Sequence, residues 1–127
     1  MDPVSLEQLT RAVRDAWSVE TCDDHDVAMW SPANPSRGQC TSTAWVVHDL
    51  LGGELLEAEV LRPDGSRQGF HYWNRLPDGT EVDLTREQFG PGEEVGPGVV
   101  VARTPLPLPG GAQYERLRDR VRAALSR

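Results

Sequence analysis

The run Phe70-His71-Tyr72-Trp73-Asn74-Arg75-Leu76-Pro77-Asp78-Gly79-Thr80-Glu81-Val82-Asp83 decides how the rest of the chain is read, because it holds a strand, a turn and the start of the next strand. Pro77-Asp78-Gly79 reads as a three-residue hairpin loop, with proline first and glycine in the left-handed position. That loop pairs Leu76 with Thr80 and sets Asp83 opposite Trp73. Side chains alternate along a strand, so His71 and Trp73 share a face. Asp83 joins them there, diagonal to His71 at roughly 7–8 Å between backbones. A two-residue loop, Asp78-Gly79, would slip the register by one and send Asp83 to the other face. Loop length therefore decides whether an imidazole and a carboxylate can meet.

A second turn of the same kind, Pro63-Asp64-Gly65, separates residues 54–62 from 67–76, and 80–85 extends the sheet, so the centre of the chain reads as antiparallel strands. Ahead of them Cys40 opens an apolar helix, 40–51, in which Cys40, Ala44, Val47 and Leu51 recur at helical spacing before Gly52 and Gly53 end it. The spacing puts the cysteine on the inward face, over the strands. A thiol at a helix start lies where free backbone N–H groups and the macrodipole favour thiolate. Cys40, His71 and Asp83 thus fit a catalytic triad of nucleophile, proton carrier and orienting carboxylate. The sulfur is expected within about 4 Å of a ring nitrogen, since a nucleophile and its base work in contact.

The flanks read as helices. Ser5 and Gln8 stand at capping-box spacing ahead of Leu6, Leu9, Val13 and Trp17, and a last helix spans 113–125. Residues 18–39 lose all periodicity, yet Val27, Met29 and Trp30 are too apolar for a linker. This loop is expected to pack over the start of the Cys40 helix as a wall of the site. Between Gly90 and the last helix come a Gly/Pro/Glu loop, an apolar strand over 99–102 and a proline-rich crossing over 104–109. The fold class is α+β, a single domain over 1–127 with a cysteine-bearing helix on a small antiparallel sheet between N- and C-terminal helices.

At 127 residues, 38% apolar and 26% charged, the chain is long enough for one domain with a real core. A net charge of −7 argues against nucleic acid and against anionic membrane surfaces as partners. No signal-like leader or spanning stretch is readable, so the expected location is cytoplasmic. Cys22 and Cys40 then read as free thiols.

Each site residue also has a plainer reading: a small core cysteine, a strand histidine, a strand-end aspartate. Their conjunction on one computed face favours chemistry. The run Cys22-Asp23-Asp24-His25-Asp26, with Cys40, His48 and His71 elsewhere, holds zinc-ligand types but fits no finger or ribbon spacing, so neither a metal nor a cofactor is expected.

The segments 34–40, 43–53, 71–79 and 83–89, with Gly38-Gln39-Cys40, His71-Tyr72-Trp73-Asn74 and Asp83-Leu84-Thr85 among them, resemble the YunG family of bacterial proteins. More distantly, a cysteine-started helix followed by a strand histidine and a strand aspartate is similar to papain-like and transglutaminase-like enzymes. That resemblance implies a papain-like core and the roles of nucleophile, base and orienter for Cys40, His71 and Asp83. Gln39 and Asn34 become the candidate side-chain amides of an oxyanion site, and Ser36, Trp73, Asn74 and Trp30 the candidate cleft residues. The implied reaction is acyl transfer through a thioester, as an amide hydrolase, deamidase or transamidase, on a small-molecule or peptide amide. The alternative is a non-catalytic binding or regulatory module on the same frame.

Overall fold

In the computed structural model, which describes residues 4–103 and 111–126, helix α1 (Leu6–Ala16) starts at a reciprocal capping box. Gln8 N–H donates to Ser5 Oγ at 3.1 Å and Ser5 N–H to Gln8 Oε1 at 3.0 Å. Two donors that a helix start leaves free are thereby satisfied. Leu9, Val13 and Trp17 are buried at their helical spacing, with Ala12 and Ala16 between them, while Leu6 stays on the rim.

Helix α2 (Cys40–Leu51) departs from the one-sided stripe that its spacing predicts. Every residue from Ser42 to Val47 is buried, because α2 is enclosed by the sheet on one side and by α1 and α3 (Gly111–Leu125) on the other. Trp17 Nε1 donates to Thr43 Oγ1 at 3.0 Å, and the Trp45 ring meets Tyr114 edge-on at 5.2 Å. Leu117 and Val121 of α3 complete that core. A helix covered all round is apolar on most of its faces, and its polar side chains must find partners there.

Five strands form one curled antiparallel sheet: β1 (Glu54–Leu61), β2 (Arg67–Arg75), β3 (Glu81–Val82), β4 (Glu94–Val95) and β5 (Val99–Val101). The order is β3-β2-β1, and β4 and β5 pair successive parts of the far edge of β1. Both PDG turns close as three-residue loops. Arg62 N–H donates to Ser66 O at 2.8 Å and Leu76 N–H to Thr80 O at 2.7 Å, with Gly65 and Gly79 in the left-handed region. Asn74 faces Val82 and Arg75 faces Glu81, which is the register that the longer loop requires. A bulge at Val60/Leu61 absorbs the mismatch between the first turn and the rest of the β1–β2 ladder.

Three elements depart from expectation by more than one residue. β3 stops at Val82, so Asp83 lies just past the strand, ahead of a 3-10 turn at Arg86–Gln88. β4 arises inside the Gly/Pro/Glu loop that carries no strand pattern. The last helix begins at Gly111, and the proline-rich crossing over 104–109 lies outside the described residues. Among the described residues no helix is long and apolar enough to cross a membrane.

The face on which α2 lies corrects the expectation for the sheet. Asn74 Nδ2 donates to Ala44 O at 2.9 Å, and Leu55, Tyr72 and Val101 pack into the same cluster as Ala44 and Val47. His71 and Trp73 alternate to the opposite face, where Trp73 clusters with Leu56, Ala58 and Val95. The helix therefore covers Tyr72 and Asn74 and not the histidine. β3 pairs β2 only at Asn74 and Arg75, so among the described residues no strand covers that edge of β2 at His71 and Tyr72.

Candidate active site

His71 is fully buried, stacked on Trp73 at 5.4 Å and met edge-on by Phe89 at 4.9 Å. Its Nε2 lies 2.6 Å from Asp83 Oδ2. A carboxylate only accepts, so Nε2 carries the proton and Nδ1 is the free ring nitrogen. That atom is buried and, among the described residues, has no hydrogen-bond partner. Asp83 is itself held: Arg86 Nε donates to Oδ2 at 2.6 Å and Thr85 N–H to Oδ1 at 3.3 Å.

Burial alone would push the imidazole toward its neutral form. The Asp83 hydrogen bond, then the neighbouring Cys40 thiol, outweigh burial and raise the His71 pKa above the ordinary 6.5. Burial would raise the Asp83 carboxyl, but the hydrogen bond and charge of His71, with Arg86 behind them, hold it below the ordinary 3.8. Each partner thus favours the charged form of the other.

Cys40 is the first residue of α2 and half-buried. Its sulfur lies 4.0 Å from Thr41 Oγ1, and among the described residues it makes no hydrogen bond of full geometry to His71 Nδ1. The thiol is nonetheless a neighbour of the ring. It helps raise the pKa of both His71 and Tyr72, which are consecutive residues with side chains on opposite faces.

A cleft of about 720 Å³ opens at the thiol, lined by Cys40, Trp45, Glu57, Tyr72, Gln88 and Phe89 among others. The loop before α2 supplies a further wall through Asp23, Asp26, Met29 and Arg37. It is tied down in short 3-10 turns, Val19–Thr21 and Asp24–Met29. Asp23 N–H donates to Gly38 O at 2.8 Å, and Arg37 pairs with Asp26 at 3.1 Å. Gly38 has φ +72°, and a Cβ there would meet Cys22 Sγ at 2.5 Å and Asp26 Cβ at 2.9 Å, so only glycine fits. Cys22 is buried with its thiol on Arg37 O at 3.3 Å. Burial, with Asp26 and Asp23 adding to it, pushes its pKa up to about 11.

The two expected oxyanion amides are engaged elsewhere. Gln39 is fully buried, accepting from Thr21 Oγ1 at 2.7 Å and donating to Ser18 O at 3.0 Å, because the loop needs a buried polar anchor there. Asn34 Nδ2 donates to Gln88 O at 3.1 Å. None of the four expected cleft residues lines the cleft. Ser36 is buried within the loop, Trp73 and Asn74 are buried on opposite faces of β2, and half-buried Trp30 donates from Nε1 to Pro35 O at 3.0 Å.

Gln88 is the cleft residue that sequence reasoning missed. It is only 5% exposed, and among the described residues its Nε2 has no hydrogen-bond partner. It lies in an irregular turn after β3, where no periodicity marks it, and burial without a partner is visible only in three dimensions. Among the described residues no group of three or more His, Cys, Asp or Glu side chains is arranged to hold a metal ion, and His25 stands exposed.

The profile of the family described as YunG protein matches residues 5–126. The "Uncharacterized protein YunG" of Bacillus subtilis (strain 168) is 30% identical over 84 residues, which cover 66% of this chain and 63% of that one. No solved structure matches the chain. With α1, the cysteine helix, the sheet and α3 all inside the matched span, the chain belongs to the YunG family.

Proposed function

We propose that this protein is a cysteine-dependent acyl-transfer enzyme, an amide hydrolase, deamidase or transamidase of papain-like or transglutaminase-like type, acting on a small-molecule or peptide amide. The observation that carries the reading is the fully buried His71. Its Nε2 is fixed on Asp83, and its Nδ1 is left without a partner beside the Cys40 thiol. A buried ring nitrogen with no partner is costly. An arrangement that keeps one next to a thiol at a cleft is what a proton carrier needs.

In the proposed reaction the Cys40 proton passes to His71 Nδ1 and the sulfur attacks the amide carbonyl carbon. The carbonyl π pair moves onto oxygen, giving a tetrahedral oxyanion. On its collapse the C–N bond breaks, Nδ1–H protonates the departing amine, and an S-acyl thioester remains on Cys40. Water, or a second amine, then gives its proton to Nδ1 as it attacks the thioester, and the sulfur leaves. Asp83 orients the ring and stabilises the imidazolium formed midway.

A second reading, a non-catalytic binding module with the same cleft, is favoured by Gln39 and Asn34, whose amides both serve the loop. An activated ester separates the two readings. Incubation with p-nitrophenyl acetate should place one acetyl group on Cys40, detected by intact mass. The label should be retained in Cys22→Ala, lost in Cys40→Ala and strongly slowed in His71→Ala. Acetylation of Cys40 no faster than that of a free cysteine peptide would favour the binding module.

A further inference from the structure

We propose that Gln88 supplies the side-chain donor of the oxyanion site, binding the tetrahedral oxygen formed when the Cys40 sulfur adds to an acyl carbonyl; the assignment rests on the acyl-transfer reading. The residue is held from three sides. Its N–H donates to Thr85 O at 3.1 Å, its C=O accepts from Asn34 Nδ2 at 3.1 Å, and its Oε1 accepts from Gly38 N–H at 3.2 Å.

The last of these bonds fixes the orientation of the amide. A backbone N–H can only donate, so the atom that meets it is the oxygen, and the nitrogen is the end left over. That nitrogen is buried, without a partner among the described residues, and belongs to a residue lining the same cleft as Cys40. Buried polar atoms are nearly always paired, and exceptions call for a ligand or a function. The position suits the role. Gln88 grips the backbone two residues before Cys40, and the next residue, Phe89, touches the His71 ring.

A preorganised donor of this kind stabilises charge that exists only during reaction. The second donor would be the N–H of Cys40, which, at the first position of a helix, has no intrahelical acceptor. Asn34, the expected donor, then acts one step away by holding the Gln88 carbonyl.

Two electrophiles test the assignment. p-Nitrophenyl acetate acylates through an oxyanion, whereas iodoacetamide alkylates sulfur by direct displacement and forms none. Gln88→Glu keeps the oxygen that Gly38 needs and removes the donor, and Gln88→Met removes both while keeping length. In each variant, Cys40 acetylation relative to Cys40 alkylation should fall about 100-fold, as for loss of one oxyanion donor. If both rates fall together, Gln88 only shapes the site; if neither falls, another group is the donor. Either result overturns the assignment while wild-type acetylation leaves the acyl-transfer reading standing. Wild-type Cys40 that alkylates but does not acetylate overturns both.

Discussion

The surroundings of Cys22 and of Cys40 contrast within one short span of chain. Cys22 is sealed under a loop, its thiol on a backbone carbonyl and facing Asp23 and Asp26, and its pKa is pushed up to about 11. Cys40 stands at a helix start, opens onto a cleft and has an imidazole for a neighbour. The same side chain is thus made inert in one place and offered to solvent in the other. Burial, carboxylates and access make the difference, not the sulfur.

The largest expected effect is on labelling. Native protein treated with iodoacetamide near neutral pH should be alkylated at Cys40 at least about 100-fold faster than at Cys22, since burial hides the Cys22 thiol and its raised pKa costs it about that much thiolate relative to the unfolded chain. Peptide mapping in native buffer and in denaturant checks this, because the difference should vanish on unfolding. Comparable native rates would erase the contrast.

Gly38→Ala attacks the seal around Cys22. The new methyl meets Cys22 Sγ and Asp26 in a left-handed conformation, and should destabilise the fold by about 2 kcal/mol. Thermal or urea denaturation measures it. Adding Cys22→Ala should recover part of the loss, and strict additivity of the two changes would show that the methyl and the thiol do not compete.

On the Cys40 side, Asp83→Asn should cost about 1.5 kcal/mol, the scale of a charge-assisted hydrogen bond, with a specific pH dependence. The His71 pKa is raised by folding, so its stabilisation is complete below 6.5 and fades as pH rises through the folded value. The Asp83 pKa is lowered, so its stabilisation is present above 3.8 and fades as pH falls through the folded value. The stability difference between wild type and variant should therefore be greatest between 3.8 and 6.5 and shrink on either side. Urea titrations at stepped pH read it, and a flat difference would mean that the pair is not ionic.

Arg86→Gln should have the smallest effect, about 0.5 kcal/mol. Its guanidinium is half-exposed, and such pairs gain little in water although it also lies 5.3 Å from the Trp73 ring. By NMR the His71 ring should still titrate above its ordinary value, since the direct Asp83 bond remains.

Local signals were the legible ones. Ser5 and Gln8 announce the start of α1, and Pro77-Asp78-Gly79 sets the pairing of β2 with β3, from which the meeting of His71 and Asp83 follows. Alternation fixes which residues share a face but not which face a helix will cover. That choice depends on α1 and α3 closing over α2, and so Asn74, not His71, meets it. Gln39 and Asn34 were misread for a related reason. An amide beside a nucleophile looks like a donor to substrate, and only the folded loop reveals that it has already found Thr21, Ser18 and Gln88. Nothing about Gln88 stands out in a linear reading, because its signature is a missing partner.

The backbone of Gly38 joins parts of the molecule that are distant in sequence. Its N–H is bound by Gln88 and its C=O by Asp23, one residue from the buried thiol and two from the helix start. Cleft wall, cysteine and turn are in this sense one machine part with a single rivet. In hydrogen exchange the amides of Asp23 and Gly38 would be expected to open together. A designer who grafted the Cys40 helix alone onto another scaffold would carry off the sulfur and leave its tooling behind.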